Sequence, residues 1–327
     1  MGRALVTGGA GFIGSHIVDK LLSSGGWFVR VFDNFSSGRV ENVSHHLGNP
    51  MFEVVRGDLK DLDEVSRALT DVDVVFHFAA NPEVRVSAID PVIHFNENVL
   101  GTFNLLEAVR RRDVREIVFA SSSSVYGEPD EVPVDEGASV RPVSVYGASK
   151  AACENMIHAY CSLYGVRAVV LRYANVVGPR LRHGVVYDFL TKLLRRQDTL
   201  EILGDGTQMR SYVYVSDAVE ATITAWRKRS SNFEVYNVGS EDWITVDDVA
   251  EAVVKALGLT NVTFLHKPVL HGVGWPGDVK KIALRIDKLR NLGWKPKINS
   301  KDAVAIAAVD ILRELRDAGA RTVPKSS

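Results

Sequence analysis

The 327-residue chain is 46% hydrophobic and 24% charged, a balance typical of a globular protein with a large buried core. Its 39 basic and 40 acidic residues give a net charge of -1, without the basic excess expected of a nucleic-acid binder. No apolar run approaches the roughly 20 residues of a membrane span, and a first strand beginning at Ala4 leaves no room for a signal peptide. Cys153 and Cys161 lie too far apart on one predicted helix to form a disulfide. We therefore expect a cytoplasmic protein with reduced cysteines, no metal site, and no nucleic-acid or membrane partner.

In the first half of the chain, short apolar runs alternate with amphipathic stretches. This alternation predicts an α/β fold, with a doubly wound parallel sheet covered by helices on both faces. Strands are predicted at Ala4–Thr7, Phe28–Asp33, Phe52–Arg56, Val72–Phe78, Glu116–Ala120 and Ala168–Arg172. Helices are predicted at Phe12–Leu22, Leu62–Leu69, Val92–Arg111 and Val145–Tyr164.

The alternation loosens after Gly178, and a smaller mixed α/β domain is predicted there. Its helices are predicted at Val186–Arg196, Ser216–Arg227, Val246–Leu257 and Lys301–Arg316, with Thr245 and Asp248 forming a capping box before the third. Short strands are predicted near Leu200–Leu203, Val235–Val238 and Val262–Leu265. We predict a first domain over residues 1–178, with 211–238 returning to it, a second over 179–315, and a tail over 316–327.

A glycine-rich turn joins the first strand to the first helix. Gly8 permits the tight turn, Gly11 lets the backbone approach a pyrophosphate, and Gly14 lets helix and strand pack closely. The helix N-terminus adds free N–H groups, so the turn predicts a Rossmann-type dinucleotide site. Asp33 ends the second strand 19 residues after Gly14, where an acid binds the ribose hydroxyls and favours NAD over NADP. The alternative is a plain glycine turn beside an unrelated surface aspartate.

Tyr146 and Lys150 lie one helical turn apart on the helix predicted at Val145–Tyr164, so their side chains share one face. A phenol, with its usual pKa of about 10, is a poor base at neutral pH. A neighbouring ammonium group, helped by an oxidised nicotinamide, is expected to lower the pKa of Tyr146. The phenol could then exchange a proton with a substrate hydroxyl. Alone, this spacing is more typical of a surface pair, and the glycine turn together with the serine run Ser121–Ser124 favours the catalytic interpretation.

Polar residues follow two other predicted strands, at the sheet edge where ligands of such folds bind. Ser121–Ser124 comes after the strand at Glu116–Ala120, and a hydroxyl there can bond the reacting oxygen. A plain polar turn is the alternative for some of the four serines. Asp58 follows the third strand, where it either bonds the adenine amino group or caps the next helix.

Together these motifs resemble those of the extended short-chain dehydrogenase/reductase family, and within it the UDP-galactose (UDP-glucose) 4-epimerases. The resemblance runs from Ala4 to about Pro296. The matching stretches are Thr7–Gly14, His77–Ala80, Ser122–Gly127, Tyr146–Lys150, Leu171–Asn175, Gly204–Arg210 and Pro276–Val279.

The resemblance implies roles for individual residues, and it selects Ser122 as the catalytic serine beside Tyr146 and Lys150. The implied cofactor-binding residues are Gly8, Gly11, Phe12, Ile13, Gly14, Asp33, Asn34, Ser36, Ser37, Gly38, Asp58, Leu59, Phe78, Ala79, Ala80, Asn98, Tyr146 and Lys150. The implied substrate-binding residues are Ser122, Asn175, Leu203, Arg210, Tyr212 and Asp278. Arg210 is expected to pair with a phosphate, the alternative being an exposed arginine.

The chain departs from the family pattern at positions that bear on the reaction. Ser123-Ser124 replaces the Asp-Glu pair of the sugar dehydratases, which argues against elimination of water. Trp275 stands where an arginine normally grips the diphosphate, and the loop Arg180–His183 is expected to compensate. Ile282 occupies the position that limits hexose size, and a side chain smaller than Tyr is expected to admit a 2-acetamido sugar.

We therefore predict NAD-dependent 4-epimerisation of a UDP-hexose, UDP-galactose or UDP-glucose, through a transient 4-keto sugar. Two alternatives stay open. One is a net oxidoreductase on a nucleotide sugar, which would consume added cofactor, and the other is a non-catalytic NAD-binding module. The resemblance also implies a homodimer that pairs through the helices at Val92–Arg111 and Val145–Tyr164.

Overall fold

The computed structural model describes residues 1–322. In chain order its strands are β1 (Gly2–Thr7), β2 (Trp27–Asp33), β3 (Phe52–Arg56), β4 (Val74–His77), β5 (Glu116–Ser122), β6 (Arg167–Tyr173), β7 (Asn175–Val177), β8 (Thr199–Leu203), β9 (Met209–Arg210), β10 (Tyr212–Tyr214), β11 (Phe233–Val238), β12 (Ile244–Thr245), β13 (Thr263–Lys267) and β14 (Lys281–Ile282). Its helices are α1 (Phe12–Ser23), α2 (Leu62–Ala68), α3 (Val92–His94), α4 (Gly101–Arg111), α5 (Val145–Tyr164), α6 (Gly184–Arg195), α7 (Val215–Lys228), α8 (Val246–Leu257), α9 (Asp287–Asn291) and α10 (Ser300–Thr322).

Seven strands form one parallel sheet in the order β11-β6-β5-β4-β1-β2-β3. The predicted doubly wound α/β fold is therefore confirmed. The chain runs outward in one direction from β1 to β3 and in the other from β4 to β11, so the strand order reverses between β1 and β4. At such a reversal the loops after neighbouring strands diverge and leave a crevice at the carboxyl edge, where ligands of this fold bind.

Helices cover both faces of the sheet because successive strand residues point to opposite sides. In β1, Ala4 and Val6 pack in the layer that holds α1 and α7, whereas Leu5 packs in the layer that holds α2, α4 and α5. All three of these β1 side chains are almost completely buried, so the strand is apolar on both faces. This explains why its sequence reads as a continuous apolar run instead of an alternating one.

A separate apolar core joins α6, α8 and α10, with Leu190, Val253 and Ile311 fully buried at its centre.

The capping box predicted before α8 is present, since the Thr245 hydroxyl accepts a hydrogen bond from the Asp248 N–H and the Asp248 carboxylate accepts one from the Thr245 N–H. The tail predicted over 316–327 begins inside α10. Residues 316–322 are helical, and 323–327 lie outside the described residues.

The helix predicted at Val92–Arg111 is interrupted by a π-helical segment, Phe95–Leu100, between α3 and α4. The extra residue in each turn of a π-segment rotates the side chains that follow it, and such segments are often found at functional sites. The amphipathic pattern gave no indication of this change.

Among residues 1–322, no helix has both the length and the apolar character required to traverse a bilayer.

A buried ion pair fastens α5 to β6. Arg172 on β6 donates to both carboxylate oxygens of Glu154 on α5, with a shortest distance of 2.7 Å between Arg172 Nη2 and Glu154 Oε2. The Ser121 hydroxyl donates to the same carboxylate, and Arg172 also donates to the Tyr126 hydroxyl, which donates to Asn237. A buried charge pair is stable only when such additional hydrogen bonds satisfy it.

Replacing Arg172 with Ala should destabilise the fold by about 3–5 kcal/mol, because Glu154 would be left buried and uncompensated. The free energy of unfolding from urea titrations measures this change. The control is Arg196→Ala, which removes one partner of a surface ion pair. Arg196 and Asp198 are both exposed, so this substitution should leave the unfolding curve unchanged. Equal effects of the two substitutions would contradict this account of the core.

Candidate active site

The glycine turn has the geometry of a pyrophosphate cradle. Gly8 adopts a left-handed conformation with φ of 66°, and its N–H donates to the Phe32 carbonyl. A Cβ atom on Gly14 would lie 2.2 Å from the Gly8 carbonyl oxygen, so only glycine allows this helix to approach the turn. Helix α1 begins after Gly11, which has no side chain to cap it, so its first N–H groups stay available to an anion.

Asp33 closes the far side of the turn at the end of β2. Its carboxylate accepts hydrogen bonds from the N–H groups of Ala10, at 3.0 Å, and Phe35, at 2.9 Å. A Cβ on Gly38 would lie 2.8 Å from both carboxylate oxygens, so the following loop passes directly over the acid. Burial raises the pKa of Asp33, and this effect outweighs the lowering by the two hydrogen bonds. The turn and this acid together fit the phosphates and a ribose of NAD.

Asp58 is held by its neighbours at the end of β3. Its side chain accepts hydrogen bonds from Asn34 Nδ2, at 3.1 Å, and from the Lys60 N–H, at 2.9 Å. Helix α2 is capped by Asp61, whose carboxylate accepts from the N–H groups two and three residues later. The interpretation of Asp58 as the helix cap is therefore wrong, because the cap lies three residues further along.

Asn98 is the one predicted site residue that does not line the cleft. It is buried in the π-helical segment, where its Nδ2 donates to Ser149 Oγ at 2.9 Å and its Oδ1 accepts from the Asn81 N–H at 2.8 Å. Ser149 in turn donates to the Tyr146 carbonyl. Asn98 therefore braces α5 and the loop after β4 from behind the site.

The N-terminus of α5 brings Tyr146 to the serine loop. The Ser144 hydroxyl caps this helix by accepting from the Gly147 N–H at 3.1 Å. A Cβ on Gly147 would lie 2.5 Å from the Ser124 carbonyl oxygen, so glycine is required for the close approach. Tyr146 and Ser122 consequently face each other across the cleft, near enough for Ser122 to affect the pKa of Tyr146 by hydrogen bonding.

Burial shifts the pKa of both titrating groups on α5. Burial raises the pKa of Tyr146 to about 12, and this outweighs the lowering by its hydrogen bond with Ser122. Lys150 Nζ lies 6.0 Å from the centre of the Tyr146 ring and donates to the Ala120 carbonyl at 2.9 Å. The expectation that Lys150 and an oxidised nicotinamide together lower the Tyr146 pKa concerns the NAD-bound site and stays a prediction. The ammonium is itself buried, which lowers the pKa of Lys150 to about 8.

Ser121 and Ser122, at the end of β5, have different roles. Ser121 is committed to the buried ion pair through its bond to Glu154. Ser122 faces the cleft, and its hydroxyl oxygen accepts hydrogen bonds from Ser124 Oγ at 2.8 Å and from the Ser124 N–H at 3.2 Å. Ser122 can therefore donate its own proton toward a ligand.

The opposite wall of the cleft is built from β9, β10 and the loop before β14. Arg210 Nη2 donates to Asp278 Oδ1 at 2.8 Å, and Asp278 Oδ2 accepts from the Gly274 N–H at 3.0 Å. Tyr212 is buried, which raises the pKa of its phenol, and Asn175 lowers that pKa. This wall presents one ion pair together with several polar and apolar groups.

One continuous cleft of about 730 Å³ runs from the glycine turn, past Ser122 and Tyr146, to Asp278. All the predicted cofactor and substrate residues except Asn98 line it. The cleft also contains Arg85, which the sequence analysis did not single out and for which no motif gave a signal.

The loop Arg180–His183 lines the same cleft, yet its arginines have protein partners. Arg180 Nη1 lies 2.8 Å from Asp19 Oδ2, and Arg182 Nη2 lies 3.5 Å from Glu314 Oε2. The loop is expected to replace the diphosphate-binding arginine that is missing at position 275, and this stays a prediction.

Comparison with known proteins places the chain in a family. A model of the NAD dependent epimerase/dehydratase family matches residues 4–239. A solved UDP-galactose 4-epimerase is 49% identical, with 96% of this chain and 99% of that chain covered and a TM-score of 0.86. The UDP-glucose 4-epimerase of Thermus thermophilus, solved in complex with NAD, is 39% identical, with coverages of 94% and 98% and a TM-score of 0.84. The UDP-glucose 4-epimerase of Mycolicibacterium smegmatis is 37% identical over 93% of this chain and 96% of its own length.

The chain belongs to the NAD dependent epimerase/dehydratase family, within the extended short-chain dehydrogenases/reductases. The predictions of an epimerase-type enzyme and of NAD as cofactor are confirmed. Relatives with other reactions match as well. UDP-glucuronic acid decarboxylase 1 of Arabidopsis thaliana is 35% identical over 92% of this chain and 68% of its own length. The dTDP-glucose 4,6-dehydratase DesIV of Streptomyces venezuelae is 29% identical, with coverages of 97% and 98% and a TM-score of 0.88.

The lowered pKa of Lys150 makes its contribution to stability depend on pH. Between about pH 8, its folded pKa, and 10.5, its ordinary value, the unfolded chain binds more protons than the folded one, so rising pH stabilises the fold. Lys150→Met removes this term. The difference in unfolding free energy between the Lys150→Met variant and the unsubstituted protein should therefore shift against the variant by about 2–3 kcal/mol from pH 7 to pH 10.

Urea titrations at both pH values, after removal of bound nucleotide, measure the difference. The exposed Lys301 provides the control, since Lys301→Met should show the same relative stability at both pH values. A pH-independent effect of Lys150→Met would show that the lysine keeps its ordinary pKa.

Proposed function

We propose that the protein catalyses NAD-dependent 4-epimerisation of UDP-galactose and UDP-glucose through a transient 4-keto sugar. The observation that carries the proposal is the continuous cleft, in which Ser122 and Tyr146 lie between the dinucleotide turn and the Arg210–Asp278 pair. We assign NAD binding to residues 1–178 with 211–238, and sugar-nucleotide binding to 179–315.

Proton transfer is assigned to Tyr146. The Tyr146 phenolate takes the proton of the sugar 4-hydroxyl, and the phenol so formed later returns that proton to the 4-keto oxygen, while the Ser122 hydroxyl donates to the same oxygen and orients it. NAD, which the glycine turn and Asp33 would hold, would supply the complementary hydride exchange at C4. Because burial raises the Tyr146 pKa to about 12, we propose that positive charge from Lys150 and from the oxidised nicotinamide lowers it again during the reaction.

The serine loop favours epimerisation over the reactions of the other relatives. Elimination of water from a hexose requires an acid and a base beside the carbons that lose it. Ser123 and Ser124 follow Ser122 directly, and their hydroxyl groups do not titrate near neutral pH. A loop that orients one oxygen without adding a carboxylate suits oxidation and reduction at C4.

The nucleotide is assigned to the wall formed by Asn175, Leu203, Arg210, Tyr212 and Asp278. This wall holds the UDP portion while the 4-keto sugar turns to present its other face. Ile282 lies in the same cleft, and its side chain is shorter than a tyrosine ring. We propose a 2-acetamido hexose as a second substrate, because a side chain shorter than tyrosine would leave more room for the acetamido group.

Purified protein given UDP-galactose and no added cofactor should form UDP-glucose, because an epimerisation has no net redox change and its NAD stays bound. The anomeric proton signals in NMR spectra follow the conversion. Tyr146→Phe should slow it at least about 100-fold, the loss typical of a missing proton-transfer group.

Tyr164→Phe is the matched control, since this exposed tyrosine at the end of the same helix should be replaceable without loss. Stoichiometric consumption of added NAD or NADH would favour the net oxidoreductase, and NAD binding without turnover of any UDP-hexose would favour the non-catalytic module.

We further propose a homodimer, supported by an apolar surface on α3, the π-helical segment, α4 and α5. Phe95 is 57% exposed and Leu163 70% exposed, and Val92, Phe103 and Tyr164 are exposed on the same helices. Large apolar side chains exposed on neighbouring helices are typical of a protein interface.

Phe95→Glu combined with Leu163→Glu should convert the dimer to a monomer, because each charge would be buried in the interface without a partner. Sedimentation velocity measures the change in mass. Leu194→Glu introduces the same charge at an exposed leucine on α6 and should leave the mass unchanged. A monomeric unsubstituted protein would contradict the proposal.

A further inference from the structure

Four arginines of the described chain line the substrate half of the cleft: Arg85, Arg180, Arg182 and Arg210. A diphosphate carries two neighbouring negative charges, which a guanidinium group with free N–H donors can bind in a bidentate manner. The position of the diphosphate therefore depends on which of these arginines has donors left after its bonds within the protein.

Arg210 is almost fully engaged within its own wall. Its Nη1 donates to the carbonyls of Met209, at 2.9 Å, and Lys280, at 3.3 Å. Its Nη2 donates to Asp278 and to the Val279 carbonyl. Four acceptors account for the four Nη hydrogens, and only the Nε–H remains for a ligand.

Arg180 and Arg182 are each drawn toward a carboxylate. Arg180 forms an ion pair with Asp19 at 2.8 Å, and Arg182 lies 3.5 Å from Glu314. Among the described residues, the buried Nε of Arg182 has no hydrogen-bond partner. Asp19 belongs to α1 and Glu314 to α10. The two arginines therefore attach the loop Arg180–His183 to these two helices.

Arg85 differs from the other three because an aromatic ring holds its guanidinium. Its sole ion-pair partner within residues 1–322 is Glu83, at 3.8 Å, too long for a hydrogen bond. Its guanidinium carbon lies 5.9 Å from the centre of the Trp275 ring, within the range of a cation–π contact. The indole therefore positions the guanidinium without consuming its N–H donors.

The pair lies between the two ends of the substrate site. Arg85 comes two residues before Ser87, whose hydroxyl accepts from the Tyr146 N–H at 3.0 Å. Trp275 comes three residues before Asp278, and its carbonyl accepts from the Asp278 N–H at 3.1 Å. In a UDP-sugar, the diphosphate joins the sugar that reacts beside Tyr146 to the nucleoside at the Arg210 wall.

We propose that Arg85, held on the indole ring of Trp275, binds the sugar-side phosphate of the nucleotide sugar. Trp275 is a positioning residue that acts through Arg85. This inference rests on the proposed function, because it takes the sugar and the nucleoside to occupy the two ends assigned above. It assigns the diphosphate to a cation in the short helix Val84–Ala88, instead of to the loop Arg180–His183.

Calorimetric titration with UDP and with UMP tests the assignment on the NAD-containing protein. Arg85→Ala should weaken UDP binding about 10- to 100-fold, the loss expected for charge-assisted hydrogen bonds, and leave UMP binding unchanged. Arg85→Lys keeps the charge without the bidentate geometry and should lose less. Arg141→Ala removes an exposed arginine outside the cleft and should not affect either ligand.

Steady-state kinetics with UDP-galactose test the role of Trp275. Trp275→Ala should raise KM several-fold with little change in kcat, and Trp275→Phe, which retains an aromatic face, should raise it less. Because Trp275 acts through Arg85, the double substitution Arg85→Ala/Trp275→Ala should be no worse than Arg85→Ala alone.

Equal weakening of UDP and UMP binding, or no weakening of UDP binding in Arg85→Ala, would overturn the assignment of Arg85. If the unsubstituted protein turns over UDP-galactose in the same preparation, the proposed function survives that result. If the unsubstituted protein binds no UDP and leaves UDP-galactose unchanged, both the inference and the proposed function fail.

Discussion

The ion pair between Glu154 and Arg172 is the interaction on which the site depends. Glu154 lies one turn beyond Lys150 on α5, and its carboxylate also accepts from Ser121, the neighbour of Ser122. The ion pair therefore fixes the helix that carries the phenol against β6, and the bond from Ser121 ties the same carboxylate to β5, the strand that ends at Ser122. Two charges in an apolar interior stabilise a fold only with complete hydrogen bonding, which makes this arrangement sensitive to the loss of either partner.

Sheet topology sets the second constraint. The reversal of strand order between β1 and β4 places the loops of several parallel strands around one crevice. Gly14 and Gly147 then allow two helices to approach this edge more closely than any residue with a Cβ would permit, the first at the phosphate turn and the second at the serine loop. The cofactor turn and the proton-transfer group thus share one cleft because backbone packing brings both to the same edge of the sheet.

Local patterns were sufficient to predict much of this architecture. The apolar periodicity predicts α5 and α8 to the residue, and the spacing from Gly14 to Asp33 predicts the dinucleotide turn. Contacts between distant segments were not predictable in this way. Neither the bond from Lys150 to the Ala120 carbonyl nor the engagement of Arg210 by four acceptors follows from spacing along the chain. Arg85 belongs to no motif, and only the fold brings it to Trp275.

The most direct test of the account is to follow the hydrogen at C4. UDP-galactose carrying deuterium at C4 should yield UDP-glucose with the deuterium retained at C4, because the hydrogen leaves and returns within one closed cleft. Mass spectrometry of the product, formed alongside unlabelled UDP-galactose in ordinary water, measures this retention. Loss of the label to solvent, or its transfer to the unlabelled molecules, would contradict oxidation and reduction at C4 of a single bound sugar.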